Sequence, residues 1–369
     1  MVVLQFVIST VLAVGMLTII KQMRYVRSAS LGFDKENVVV VRGRSRRIVQ
    51  GFEAFRNGLL SNPRILSVSG SSDIPVDPQY GNTSIYHRPS AAVANAIIFG
   101  IDYDYVDTYG MRILAGRNFS RDFATDVIGT AILNEAAARK MGLTPEDAVG
   151  KKLTGGFSKE GVPVVGVVED FNYKSLREEV EPLAMLLHPE DIQNVSVRIR
   201  PGDVGEALKD IRRGWERSFP GEQFEFRFLD EYLQRLYERE MEMQAIFLVF
   251  SSLSILVACL GLFGLAAFTA EVRTKEIGIR KTLGATTASV TVLLSKEFVK
   301  WVLLANVAAW PLAWFLMNKW LRNFVYRVGM GWSVFAASSL AILTVAVLTF
   351  VFQALKAASA NPVKSMRYE

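Results

Sequence analysis

Few residues in this sequence are placed to do chemistry. Gly150-Lys151 comes nearest to a phosphate cradle, but Pro145 stands where the first glycine belongs and Lys152 where the serine or threonine belongs. With the cradle absent, nucleotide energy has to come from a partner chain. Asp102, Asp104 and Asp107 are spaced like cation ligands but lack the glycine and closing glutamate of a calcium loop. They read as a solvated acidic helix start, where carboxylates are favoured. The two histidines, His87 and His188, lie in polar sequence near prolines and read as surface groups without metal-ligand spacing. Cys259 is the single cysteine, which excludes an intrachain disulfide and a multi-cysteine zinc site. It lies inside an apolar run, a poor place for a hydrolytic nucleophile, and no G-x-S-x-G motif marks a serine. Glu135, Glu169 and Asp170 read as surface charges. No catalytic residue, metal site or bound cofactor is expected.

A different kind of segment stands out: E-V-R-T-K-E-I-G-I-R-K-T-L-G-A, Glu271 to Ala285. Val272, Ile277, Ile279 and Leu283 supply apolar contacts. Arg273, Lys275, Glu276, Arg280 and Lys281 supply charge, and Gly284 suits a left-handed helix end. The pattern predicts a short amphipathic helix. On physical grounds alone, a basic loop resting on anionic membrane lipid also accounts for it.

Four apolar stretches surround this segment, each near the length a bilayer span requires: residues 1–20, 244–268, 301–318 and 332–355. The first lacks the basic start of a signal peptide, so it is read as an uncleaved helix. The chain opens directly on apolar sequence, as a shortened N-terminus would. Residues 21–243 carry 30 Lys+Arg against 32 Asp+Glu, whereas residues 244–369 carry 12 against 4. The basic excess thus belongs to the membrane part, which argues against a nucleic-acid partner. Basic residues concentrate in the 269–300 loop and the 356–369 tail, which places both on the cytoplasmic side. Residues 21–243 are then extracytoplasmic, although Lys21, Arg24 and Arg27 run against the bias. In the second span Ala258, Gly261, Gly264 and Ala267 recur at three-residue spacing, compatible with a helix-pairing seam.

The insert reads as a mixed α/β domain. Strands are expected at Asn37–Val41, Ile65–Val68, Ala96–Ile101, Val162–Val168, Val195–Ile199 and Phe224–Phe228. Helices are expected at Ile48–Leu60, Asp102–Tyr109, Ala131–Met141 and Val204–Phe219. Residues 71–95 read as a loop. Leu229, Tyr232, Leu233, Leu236 and Tyr237 form an amphipathic stripe, and no Gly or Pro separates them from the second span. One long helix is expected there, a stalk between the insert and the bilayer.

R-T-K-E-I-G-I-R-K-T-L-G-A resembles the coupling-helix signature of the FtsX-like/MacB-like ABC transporter permeases. So do L-G-F-D-K-E-N-V (Leu31 to Val38), G-R-N-F (Gly116 to Phe119), I-L-N-E (Ile132 to Glu135), V-E-D-F-N-Y-K-S-L-R (Val168 to Arg177) and the tail N-P-V-K-S-M-R-Y (Asn361 to Tyr368) resemble other parts of that family. The resemblance implies a four-helix permease unit of the bacterial inner membrane with a periplasmic core domain between spans one and two. It implies that two such units pair, as a homodimer or within one double-length chain. Each unit would dock an ABC ATPase subunit on Glu271, Arg273, Thr274, Lys275, Glu276, Ile277, Gly278, Ile279, Arg280, Lys281, Leu283, Gly284 and Ala285. ATP is then bound by the partner, and Leu229 to Tyr237 belong to the stalk that passes its closure outward. A periplasmic adaptor or outer-membrane channel is a further partner open to the family. The lead that usually precedes the first span is missing, and the sequence also resembles the second unit of double-length relatives. The rival expectations are a membrane-anchored sensor whose outer domain binds a ligand, and a membrane-bound hydrolase with its site in residues 21–243.

Overall fold

The computed structural model describes residues 2–28, 30–43, 45–76, 82–87, 93–123, 125–126, 129–272, 279–280 and 286–358. The chain divides into two compact units. A helical unit comprises residues 1–28 and 238–369, and an outer unit comprises Ala29–Tyr237.

The helical unit begins with α1 (Val2–Ser28), which continues past the apolar run through Lys21, Arg24 and Arg27 because nothing in that stretch breaks a helix. The outer unit opens with β1 (Val38–Arg42), α2 (Arg46–Leu60) and β2 (Ile65–Ser71). Ser45 caps α2, accepting from the Ile48 amide at 3.3 Å. Ile48, Phe52, Phe55 and Leu59 form the buried face of α2, at the spacing the sequence shows. A long insertion follows: β3 (Asn82–Tyr86), β4 (Ala94–Ile101), α3 (Tyr105–Thr108), β5 (Ile113–Gly116), β6 (Ala131–Asn134), α4 (Glu135–Lys140), α5 (Pro145–Ala148), β7 (Lys152–Gly155), β8 (Ser158–Val168) and β9 (Leu183–Leu187). The chain then completes the first half with β10 (Asn194–Ile199), α6 (Val204–Ser218), β11 (Phe226–Phe228) and α7 (Leu229–Leu236).

The two β-α-β segments interleave. Strand order is β11-β1-β10-β2, with every neighbour antiparallel. This is a doubled split β-α-β arrangement. One face packs under α2 and α6, where Val39, Val41, Val68, Val195 and Val197 meet Phe52, Phe55 and Trp215. The other face sets Val38 and Val40 beside Ser69, Ser71, Asn194 and Ser196, and it too is buried. The inserted strands β4-β3-β7-β8-β6-β9 close into a ring through the parallel β4–β9 pairing, and β5 adds to β8. A second core of Ile85, Leu133, Leu153, Val164, Val167 and Leu186 fills this half, with α4 and α5 contributing Ala137, Ala138 and Ala148. The strands of the two halves meet at the β2–β4 bridge, Ser71 to Ile101, and α3 packs against β2 and β10.

Three expectations are corrected. Ala131–Asn134 is a strand, β6, and the helix starts only at Glu135; Asn134 caps it with its side chain on the Ala137 amide at 3.0 Å. Residues 71–95 contain β3, a strand paired on both sides, with β4 and β7, whose polar residues concealed it. Phe224 and Glu225 precede β11 instead of belonging to it.

The helical unit is completed by α8 (Glu238–Val272), α9 (Thr287–Leu321) and α10 (Trp332–Ala358). Together with α1 these are four helices long and apolar enough to cross a membrane, over Val3–Val26, Glu240–Leu265, Val299–Leu321 and Trp332–Thr349. Phe6, Ala258, Leu262, Val302, Ala305, Ile342 and Ala346 form one apolar cluster between them. Of the α1 span 39% is buried, against 17% of the α8 span. The first helix is therefore the one the other three pack around.

Candidate functional site

The charged segment lies between two long helices. Glu271 and Val272 form the last turn of α8, and Ile279 and Arg280 are helical with exposed side chains. Thr286 caps α9, accepting from the Ser289 amide at 3.2 Å. Arg273, Thr274, Lys275, Glu276, Ile277, Gly278, Lys281, Leu283, Gly284 and Ala285 lie outside the described residues.

The stalk stripe is a packing face. Leu229, Tyr232, Leu233 and Tyr237 are buried within the outer unit; the Leu236 side chain lies outside the described residues. The Tyr232 ring sits by the guanidinium groups of Arg42, at 5.5 Å, and Arg227, at 5.7 Å. The single long helix expected here is interrupted. Tyr237 leaves helical geometry at φ −119° and ψ 14°, its amide closing onto Gln234 at 3.0 Å. The side chain gives the reason: the Tyr237 hydroxyl accepts from the Leu176 amide at 2.9 Å, holding the buried ring against residues 172–176. A helix-breaking residue type was not needed, so sequence could not show the break.

The N-terminal segment of the outer unit is fixed to the same loop. The Asn172 amide donates to the Leu31 carbonyl at 2.8 Å. Phe33 meets Tyr109 and Phe171 edge-on, both at 6.3 Å. Gly32 adopts φ +80°, and a Cβ there would stand 2.7 Å from the Asp170 carbonyl oxygen, so only glycine fits. Asp34 pairs with Arg198, whose Nε also donates to the Thr108 carbonyl at 2.7 Å. Since Val39 pairs with Phe228, the chain enters and leaves the outer unit on adjacent strands at one end. Residues 169–177 hold both crossings.

Two family descriptions match this chain: MacB-like periplasmic core domain over residues 1–213, and FtsX-like permease C-terminal over residues 248–362. The chain belongs to the MacB-like, FtsX-like permease family. It is 23% identical over 288 residues to the macrolide export ATP-binding/permease protein MacB of Chromobacterium violaceum, covering 74% of this chain and 44% of that one. It is 22% identical over 315 residues to the ABC transporter permease YknZ of Bacillus subtilis, covering 77% and 72%. The chain thus spans about half the length of the MacB relatives. The crystal structure of the periplasmic region of MacB from Actinobacillus actinomycetemcomitans aligns with 56% of this chain and 94% of its own length, at 18% identity and TM-score 0.38.

In this permease the motifs that carried the resemblance hold the fold together. Gly116 lies at φ +75° with the Val165 carbonyl oxygen filling the place of a Cβ, and Arg117 grips buried Asp126 with two hydrogen bonds of 2.7 Å. Burial pushes the Asp126 carboxyl up, but these bonds and the Ser120 amide outweigh it and hold the group below its usual range. Asp170, expected at the surface, accepts from the Ala136 amide at 2.7 Å and completes the α4 start. Asn134 accepts from Leu183 and donates to the Glu181 carbonyl, both at 2.9 Å.

Asp102 departs furthest from its expected place. It is fully buried beneath the serine-bearing face of the sheet, accepting from Ser69 Oγ at 2.7 Å, the Gly70 amide at 2.9 Å and the Asp104 amide at 3.1 Å. Desolvation pushes it up to about 7 against the pull of those donors. Sequence missed this because an acidic helix start looks the same whether it is solvated or capped from below. Among the described residues no group of three or more His, Cys, Asp and Glu is placed to hold a metal ion. Of the small residues in α8, Ala258 belongs to the apolar cluster and Gly261 faces Gln5 of α1 within the same chain. A Cβ at Gly264 would meet nothing within 4 Å.

Proposed function

We propose that the chain is the permease subunit of an ABC transporter of the mechanotransmission type. An ABC ATPase partner docks on Glu271–Ala285, and its closure is delivered through α1 and α8 to the outer unit, which moves cargo on the far side of the bacterial inner membrane. Ile277, Ile279 and Leu283 anchor the partner by apolar contact, while Arg273, Lys275, Arg280 and Lys281 steer it. The subunit itself is non-catalytic, and a second permease unit completes the assembly. Export is the activity that the names of the MacB relatives give.

The observation that carries this reading is the double seating on residues 169–177. Asn172 holds the chain arriving from α1, and Leu176 holds the chain leaving for α8. A shift of either helix arrives at the same loop, which also caps α4 through Asp170. That double seating supports the reading of this loop as a receiver.

The test is an affinity pull-down of the detergent-solubilised chain, read by mass spectrometry, beside a Glu276→Lys, Gly278→Trp double variant. The expected result is an ABC ATPase with wild type and none with the variant. An ATPase retained equally by both would overturn the docking assignment.

A further inference from the structure

Within the helical unit, α1 is tied to the α9–α10 hairpin at two depths by buried amides. Midway along, Asn306 of α9 accepts at Oδ1 from Thr10 Oγ1 of α1 and from Ser339 Oγ of α10, both at 3.0 Å. Its Nδ2 donates to the Val302 carbonyl at 3.1 Å, and Trp310 Nε1 donates to Ser339 Oγ at 3.0 Å. At the far end, Gln22 of α1 donates Nε2 to the Tyr326 carbonyl and accepts from the Val328 amide, both at 2.9 Å. Lys21 reaches the Gly329 carbonyl at 3.2 Å. Thr10 and Gln22 are fully buried and Asn306 nearly so.

The α1–α8 contact is of another kind. Gly15 sits under the Phe247 ring and Gly261 under Gln5, with Ser9 bonded to Ser254 at 2.7 Å. Beside that one hydroxyl pair, the contact is small-residue packing, in which the two backbones approach closely. Gln22, bonded to two backbone groups of the turn, and Asn306, bonded to hydroxyls of α1 and α10, cannot shift without parting buried donors from acceptors, which fixes register more than it adds stability. The two contacts therefore differ in what they transmit. The turn between α9 and α10 is held to α1 by its own backbone, and α9 begins two residues after the charged segment.

We propose that Gln22 and Asn306 are positioning residues that oblige α1 to follow the α9–α10 hairpin, giving the permease a second route to the outer unit beside α8. The first route ends at Tyr237 on the Leu176 amide. The second ends at Leu31–Asp34, seated on Asn172, Phe171 and Arg198. This inference rests on the functional reading above, and it adds which side chains carry the load and where.

Hydrogen exchange read by mass spectrometry tests it, on the full chain with its co-purified ABC ATPase in nanodiscs, comparing ATP plus vanadate with ADP. Wild type is expected to change exchange in both residues 31–38 and residues 229–237. Gln22→Met and Thr10→Val, which keep size but lose the bonds, are expected to lose the change at 31–38 and keep it at 229–237. Thr10→Ser, which restores the hydroxyl, is expected to behave as wild type. A merely structural lesion would not separate the two segments in this way. Variants that keep the 31–38 change, or that lose both changes together, would overturn the proposal alone. Wild type without an ATPase, or without a nucleotide-dependent change in either segment, would overturn the functional reading and the proposal with it.

Discussion

The two units of this permease handle buried polar groups by opposite means. In the outer unit, large side chains supply the stability: Trp215, Phe55 and Phe219 stack in one core at centroid distances of 4.8–5.6 Å. Its buried polar groups gather where segments join, as with Asp102 under the sheet and Asn134 at the start of α4. In the helical unit most span positions face outward, and no water stands by to drive helices together. There, single residues such as Asn306 and Gln22 set the register. The difference implies that the outer unit fails by losing volume, whereas the helical unit fails by losing alignment.

Variants in each unit can break or sharpen that contrast. The largest effect is expected from Trp215→Ala, which removes a fully buried indole and should cost about 3–5 kcal/mol. Denaturant unfolding of the purified chain, followed by circular dichroism, checks it. Next is a pH dependence from Asp102. Its carboxyl titrates near 3.8 when unfolded and at about 7 when folded, so between those values the folded chain holds the extra proton. Stability should fall as pH rises through that window and level off above it, by a few kcal/mol in total at ~1.4 kcal/mol per unit. Melting temperatures at pH 5 and pH 8 should therefore differ, with pH 5 the higher, and the difference should shrink in Asp102→Asn.

Gly116→Ala comes third. It combines a left-handed backbone with a Cβ pressed on the Val165 oxygen, and a loss of about 1–3 kcal/mol is expected in the same unfolding assay. The smallest effect on stability belongs to Asn306→Leu, roughly 0.6–1.7 kcal/mol, because polar pairs between membrane helices contribute little. Its effect on nucleotide-dependent exchange at residues 31–38 should nevertheless be complete. A large stability loss with intact exchange would reverse the contrast between the units.

Much of the architecture was legible from residue pattern. The four apolar runs, the buried face of α2 and the glycine ends at Gly110 and Gly142 follow from periodicity and backbone preference, and both glycines have positive φ. Other features required partners far along the chain. Asp102 and Asp170 looked solvated because the groups that bury or bond them, Ser69, Gly70 and Ala136, lie 32–34 residues away. The break at Tyr237 depends on Leu176, 61 residues earlier. Strand β3 carries Asn, Thr and Ser between β4 and β7 and has no apolar run to announce it. The resemblance picked out residues 168–177 as a motif, but only the structure shows that both crossings rest on it.

The central claim is that a partner's ATP cycle, received at Glu271–Ala285, is felt in the outer unit at residues 169–177. Hydrogen exchange of that loop in the full chain with its ABC ATPase, with ATP plus vanadate against ADP, tests it most directly. The account predicts a nucleotide-dependent change at Asn172 and Leu176 in wild type that is absent in the Glu276→Lys, Gly278→Trp variant. Exchange at that loop that is indifferent to nucleotide in wild type would contradict it.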